Sequence, residues 1–593
     1  MRVLKSTDGA DSASQFKIPF MVGVVGHRDL LPDQIPQVRA AVTKILKRLR
    51  EDNPDVPLRL LCSMAAGADL LAAEAAADLG IAIIALLPYA RRLCREDLES
   101  EGDRALFDRL CDMSDVVELS LPQDAAPGDV DHPGDIRDQQ LQRAGSIVAR
   151  YSGLMIAIWD GLSTEHRAGT ARAVQFRREG VMPTGEIAVT PRDVLLSPQD
   201  DDLNFEIRCA RLSHPNGTEV EVAVHGFTGS DSRGGEEYPS SLRTTLKRLA
   251  EFNRDVEEFA DDIVHRGRRL WQPSPVPIPK TLRYLDRMFS AANWMGTYYR
   301  RCFSWALKAR YGLWALMAFL LITFKKESVG PIAIAAILGV LAVFLCGTLL
   351  AIWAHRRAWH RKYLDYRALA EALRVDFYWE LAGVRKEFEG EFAHESFLQK
   401  QDADLQWIRN AMRAVSLELA IRPSGNFKEG YPFVFADWVG DDDLVNGSGQ
   451  MLYYRRTLQI LTRKQHNAER IDRVLLLAGL LLAFAFAVDL ALQALSRTFL
   501  PPHLRAWMLW ALALVPVYAA IFEIYLNEKA DRSLIRQYRY MYHLFGFAAR
   551  ELRTAATNER KLEILRSLGH ACLAEHAQWI LAHRDKRIQG MRW

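Results

Sequence analysis

Four long apolar segments constrain this chain more than anything else in it, because crossing the hydrocarbon core of a bilayer takes about 20 helical residues. They run over 305–324, 331–354, 474–495 and 506–526. The first is the weakest, since Lys308 and Arg310 must snorkel to an interface. The second follows it after a turn too short for anything but an antiparallel pair, and the third and fourth make a second pair. The expectation is an α-helical membrane domain of four spans in two hairpins. Such spans explain how a chain of 593 residues with 25% charged side chains is still 49% hydrophobic.

Basic residues crowd the open ends of the hairpins. Arg300, Arg301, Lys308 and Arg310 precede or begin the first, and Arg356, Arg357, Arg361 and Lys362 follow it. Arg463, Lys464, Arg470 and Arg473 precede the second, and Lys529, Arg532 and Arg536 follow it. The turns carry only Lys325, Lys326, Arg497 and Arg505. By the positive-inside rule, both ends of both hairpins and both chain termini face the cytosol. Inside the second hairpin, Asp489 and Glu523 fall at opposite ends, Glu523 as an interfacial anchor and Asp489 as a candidate for a polar bundle interior. An amphipathic segment follows each hairpin, 361–383 and 530–552, with Tyr366-Arg367 and Tyr538-Arg539 at comparable distances past the spans. That similarity hints at duplication, and the aromatics read as helix-to-helix packing.

Lys and Arg number 76 against 73 Asp and Glu, a net charge of +3 that argues against a globally basic nucleic-acid binder. The seven cysteines, Cys62, Cys94, Cys111, Cys209, Cys302, Cys346 and Cys572, are scattered and lack a Cys-x-x-Cys spacing. A disulfide framework or structural zinc site is therefore not expected. The polar opening residues lack the apolar stretch of a secretory signal.

Residues 17 to about 190 alternate short apolar runs with amphipathic helices, the pattern of a parallel sheet covered on both faces. Strands are expected at 20–25, 58–62, 81–88, 116–119 and 154–159. Helices are expected after Asp33, which reads as a cap, and over the alanine-rich 70–79. The fold class is thus an α/β Rossmann-like cytosolic domain followed by the helical membrane domain. In such sheets ligands bind at the carboxyl ends of strands. Three turns there carry glycine: Gly23 to Asp29 with Gly26, His27 and Arg28; Ser63 to Asp69 with Gly67; and Trp159-Asp160-Gly161 leading to Gly169 and Thr170. Glycine admits close approach, helix amino ends attract anions, and Arg28 adds a cation. Together they describe a site for a phosphate-bearing ligand, with Asp69 open to either helix capping or a ribose contact. Neither a Walker loop nor the full dinucleotide fingerprint occurs.

Gly26-His27-Arg28, Ser63 with Ala66-Gly67-Ala68-Asp69, Leu87-Pro88-Tyr89, and Ala157 to Gly161 followed by Gly169-Thr170-Ala171 resemble the SLOG superfamily. That group joins the lysine decarboxylase-like phosphoribohydrolases, the DNA-processing protein A family and the heads of melastatin-type channels. The membrane half is similar to two copies of the two-transmembrane effector modules that accompany SLOG sensors in bacterial conflict systems. The resemblance implies a sensor in the bacterial inner membrane that binds an ADP-ribose-type or other nucleotide, requires no cofactor and works as a homo-oligomer on the lipid bilayer. It also adds Pro88 to the candidate site. The hydrolytic members carry a glutamate in the turn that here reads Ala168-Gly169-Thr170-Ala171-Arg172-Ala173, so binding is expected rather than hydrolysis. Glu74 reads as solvated.

The expected division is a disordered 1–16, a nucleotide-binding domain over 17–240 with a small β extension, and a helix and Pro-rich spacer over 241–280. The first hairpin with its cytosolic helix takes 281–400, a helical and loop region takes 401–460, and the second hairpin with C-terminal helices takes 461–593. Residues 121–136 read as a loop, 218–227 as a strand and 228–240 as a flexible Gly/Ser stretch. Residues 427–449 read as a long loop in which Asp441-Asp442-Asp443 form a solvated turn. A membrane-tethered phosphoribohydrolase and a transporter or channel remain alternatives.

Overall fold

The computed structural model describes residues 14–122, 125–162, 169–179, 203–213, 225–228, 231–234, 239–271, 278–326, 330–387, 405–421, 425–443, 447–494, 501–529 and 531–584. They form two compact units that interleave along the chain, unlike the sequential division expected. The first unit holds residues 1–295, 367–431 and 556–581, and the second holds 296–366, 432–555 and 582–593.

The first unit is built on a six-stranded, wholly parallel sheet. Its strands are β1 (Phe20–Gly26), β2 (Leu58–Cys62), β3 (Ala82–Leu87), β4 (Asp115–Glu118), β5 (Leu154–Trp159) and β6 (Leu203–Arg208), in the order β4-β3-β2-β1-β5-β6. β1, β2, β3 and β5 are almost wholly apolar and buried, as a sheet covered on both faces requires. Helix α1 (Ile35–Asp52) buries Val38, Val42, Ile45 and Leu49 at helical spacing. Asp33 does not cap it: Asp33 lies in a 3-10 turn and Gln34 takes the cap position without a side-chain bond, next to a proline at the helix start. Helix α2 (Ala68–Asp78) and the later α3 (Asp135–Tyr151) pack against β1 from opposite faces. Gly23 and Gly26 mark this, because an odd spacing along a strand puts their missing side chains on opposite sides. Gly23 abuts Ser152 and Val148, and Gly26 abuts Ala68.

Several expectations change. Residues 14–16 are a 3-10 turn with Phe16 buried, while 1–13 lie outside the described residues. β6 had no sequence counterpart. His225–Thr228 pairs antiparallel with Asp231–Gly234, so part of the supposed flexible stretch is strand. The Pro-rich run at 272–277 and most of the expected strand over 218–227 lie outside the described residues. Residues 427–439, expected as loop, are a helix (Phe427–Phe433) and a π turn (Val434–Val439) with Trp438 buried. Helix Gln406–Ile421 sends Leu417 and Ile421 into the cluster around Ala157, Val148 and Met155, so the core of the sheet is completed from far along the chain.

The second unit contains most of four helices long and apolar enough to cross a membrane. They are Lys280–Lys326, Pro331–Arg356, Gly449–Ala494 and Pro502–Lys529. The first and third run far beyond the expected spans; at 1.5 Å per residue, each is about 70 Å long. Residues 282–295 of the first belong to the first unit, with Leu282, Leu285, Met288 and Met295 buried. Gly347 faces Leu313 and Gly339 faces Leu320, so these two helices pack antiparallel. Gly479 beside Val515, with Asp489 beside Arg505, makes the second antiparallel pair.

The two pairs repeat one motif. Tyr298-Tyr299-Arg300-Arg301 recurs as Tyr453-Tyr454-Arg455-Arg456, a match the sequence reading overlooked. Tyr299 packs edge-on to Tyr366 with ring centroids 5.7 Å apart, and Tyr454 edge-on to Tyr538 at 5.5 Å. All four rings are buried, so these aromatics are packing groups.

Candidate functional site

The order of the sheet reverses between β1 and β5: strands β2, β3 and β4 lie to one side of β1, and β5 and β6 to the other. A crevice opens at the carboxyl ends of strands that diverge in this way. The turns after β1 and β5 meet there. Ring nitrogen Nε2 of His27 lies 3.1 Å from Asp160 Oδ1, and the His27 backbone N–H donates to Ile158 O at 3.0 Å.

The turn after β2 docks on the same place. Ala68 N–H donates to His27 O at 3.1 Å, tying the start of α2 to the turn after β1. Gly67 has φ +74°, and a Cβ on it would lie 2.4 Å from Arg28 O, so both backbone conformation and space demand glycine. Gly26 is required for the same closeness, since its Cβ would sit 2.2 Å from that of Ala68. The glycines therefore serve the contact of one corner with another.

Electrostatics separate the acidic groups. Burial drives the Asp160 carboxyl up, but the Leu162 N–H, at 3.0 Å, and His27 outweigh it and hold Asp160 below the usual carboxylate range. Burial lowers His27 more than Asp160 raises it. A neutral imidazole that donates from Nε2 to an ionised carboxylate keeps Nδ1 as an acceptor. Asp69 is different. Burial pushes its carboxyl up to about 7 despite bonds from the backbone of Ala65 and Ser63. Through these bonds it braces its own turn.

Arg28 is exposed, and among the described residues it makes no hydrogen bond or ion pair. Asp29 next to it is engaged: Arg211 Nε reaches it at 2.9 Å and Ser213 Oγ at 2.7 Å. Burial pushes Asp29 up, and these bonds bring it below the usual range. Arg211 follows β6, and Leu212 N–H donates to Asp29 O at 2.9 Å, so the loop after β6 closes the side of the crevice. Arg208 stacks on Trp159 at 5.1 Å and fills the space beneath Gly161.

No known protein family matches this chain, and no curated protein does.

Gly26, His27, Arg28, Gly67, Asp69, Asp160 and Gly161 thus come together, with Ser63 in the turn that Asp69 braces. Four expected site residues stand elsewhere or apart. Gly23 is a mid-strand packing position, paired in register with Leu61 and Met155. Pro88 ends β3, two strands away from β1, and its carbonyl accepts from Gln140 Nε2 at 2.9 Å. Gly169 and the buried Thr170 begin α4 (Thr170–Glu179), but 163–168, which would lead to them from Gly161, lie outside the described residues. Sequence reasoning missed Arg211, Ser213 and Arg208, because nothing marked β6 as part of the sheet. Backbone donors are also scarcer than glycine-rich turns suggest: Ala68 N–H goes to His27 and Leu70 N–H to Ala65.

Glu74 bridges Arg39 and Arg109, both at 2.6 Å, and is an ion-pair group rather than a solvated one. Burial pushes the Cys111 thiol to about 11 and those of Cys94 and Cys209 to about 12, which makes them poor nucleophiles. Among the described residues no cluster of His, Cys, Asp and Glu is suited to a metal ion.

In the second unit, Asp489 is fully buried and Arg505 Nε lies 2.7 Å from its Oδ2. Glu523 is exposed. Asp441 pairs with Arg553 at 2.7 Å and Asp442 accepts from Tyr542 at 2.5 Å, while Asp443 is exposed, so the acidic run is both held by partners and open to solvent.

Proposed function

We propose that this chain is a nucleotide-sensing membrane effector, whose α/β unit binds an ADP-ribose-type or other nucleotide on the cytosolic side and thereby opens or assembles its helical bundle. The observation that carries the reading is the meeting of the turns after β1, β2 and β5 at the switch point of a parallel sheet, beside the exposed guanidinium of Arg28. Such a crevice offers a cation, a neutral imidazole and a buried aspartate, which suits a phosphate attached to a polar ring system. The resemblance to SLOG sensors points the same way.

The membrane part of the reading rests on apolar faces turned outward. Phe344, Leu345 and Leu349 on one helix, and Leu480, Leu481 and Phe484 on another, are all exposed. On helix Pro502–Lys529, Trp507 and Tyr525 lie about 27 Å apart at 1.5 Å per residue. That is near the hydrocarbon thickness of about 30 Å, and interfacial belts favour such residues. The basic open ends of both hairpins favour cytosolic termini in a bacterial inner membrane. A ligand acts only through its differential affinity for two states of the protein.

The deciding experiment is a mass-spectrometric survey of small molecules released from the purified full-length protein, followed by calorimetry with what is found. A nucleotide bound stoichiometrically supports the reading, and a protein that binds no nucleotide in either assay refutes it. The His27–Asp160 pair favours a second reading, a membrane-tethered phosphoribohydrolase in which the imidazole moves a proton. Release of free base from nucleotides by the full-length protein, lost in His27→Gln, would establish it.

A further inference from the structure

Within the chain, the two helix pairs meet through their first and fourth helices. Tyr311 packs edge-on to Tyr525 with centroids 5.5 Å apart, and Phe319 edge-on to Trp510 at 5.1 Å. The first helix of one repeat thus touches the second helix of the other. The duplicated tyrosine anchors allow the complementary contact to be located. Matching Tyr299 to Tyr454 carries Tyr311 onto His466 and Phe319 onto Val474. Matching Tyr366 to Tyr538 carries Tyr525 onto Trp353 and Trp510 onto Leu338.

All four corresponding positions are exposed, Leu338 at 59% and Val474 at 64%. They lie on helices Pro331–Arg356 and Gly449–Ala494, whose apolar faces are the most open of the four. A repeat that satisfies its interface once inside the chain leaves the equivalent half-interfaces unsatisfied at either side. We propose that a second copy of this chain covers them: helix Gly449–Ala494 of one copy packs against Pro331–Arg356 of the next, as the first and fourth helices pack within each. The contact is heterologous, so it propagates from copy to copy and closes only as a ring. The proposal rests on the membrane reading above and supplies the surface by which an effector of that kind assembles.

Full-length protein in native membranes tests it, in a Cys302→Ser/Cys346→Ser background because the other five thiols are buried. Co-expressed Leu338→Cys and Val474→Cys chains should give one cross-linked dimer with a short bifunctional thiol reagent. The double variant Leu338→Cys/Val474→Cys should give a ladder of dimers, trimers and longer species. Leu481, two turns on along the same face, is paired with Leu338 in parallel to allow for a shift along the axis. Tyr311→Cys/Tyr525→Cys should close within one chain. Absence of an intermolecular product at both Val474 and Leu481, with carbonate-resistant protein, would overturn the interface and leave lipid as the occupant. Self-dimers from Leu338→Cys alone would overturn it in favour of a two-fold contact. Release of the protein by carbonate would overturn the membrane reading and the interface together.

Discussion

His27 and Asp160, 133 residues apart in the chain, stand within hydrogen-bond distance across the seam where β1 and β5 diverge. The pair holds the imidazole next in sequence to the exposed Arg28. Arg28 is exposed, and its charge lowers the carboxyl of Asp69 against the larger upward push of burial.

Arg28→Ala should therefore abolish nucleotide binding while shifting stability by no more than about 0.5 kcal/mol, the usual range for an exposed side chain without a packing role. Calorimetry and thermal unfolding of the same preparation check the two halves. Retained affinity would remove the site assignment.

Gly67→Ala should destabilise the first unit by about 2–3 kcal/mol, since the new methyl group meets a carbonyl oxygen in a backbone region that disfavours it. The φ of +74° and the 2.4 Å approach to Arg28 O motivate this. Denaturant midpoints in detergent measure it.

Asp69 gives a pH dependence. Its carboxyl has an ordinary value of 3.8 when unfolded and about 7 when folded. Below pH 4 both states hold the proton and no cost arises. As pH rises from about 4 to about 7 the unfolded state loses its proton first, so stability falls, on the order of 4 kcal/mol, then levels off. Asp69→Asn should flatten that slope, and unfolding midpoints at pH 5 and pH 8 would reveal it.

Arg505→Gln removes the positive charge that lies 2.7 Å from the buried carboxylate of Asp489, which should cost about 3–5 kcal/mol. Arg505→Gln together with Asp489→Asn should recover most of the loss. Thermal unfolding in detergent, followed by tryptophan fluorescence, distinguishes the two. Equal losses would mean that the pair adds nothing beyond packing.

Residues 1–270 alone should aggregate when expressed, because Leu417 and Ile421 complete the core behind β1 and β5. Soluble, cooperatively unfolding 1–270 would contradict this.

Much of the fold was legible where one pattern dominated. β2 and β5 fall at the expected residues because a buried parallel strand is a short, bounded apolar run. The four apolar helices were legible for the same reason. β6 was not, because Leu203–Arg208 carries Asn204, Glu206 and Arg208, and polar alternation on an edge strand looks like loop. His27, Arg28 and Asp160 were legible as strand-end residues, whereas Arg211 and Ser213 depend on β6. Gly23 misled because two glycines close together in a strand end suggest a loop, when the first only lets α3 approach. The contribution of Gln406–Ile421 to the core was invisible, since periodicity records that a helix has an apolar face but not what that face meets.

The chain passes between its two units at 295/296, 366/367, 431/432, 555/556 and 581/582. Each apolar hairpin is thus an insertion held at both of its ends, not a tail. A graft of the first unit onto another membrane domain cannot be made at a single junction: it must preserve five, and proteolysis at any one of them leaves the units still joined. Recombination would then be expected to move such a protein as a whole, so its two halves should share one evolutionary history.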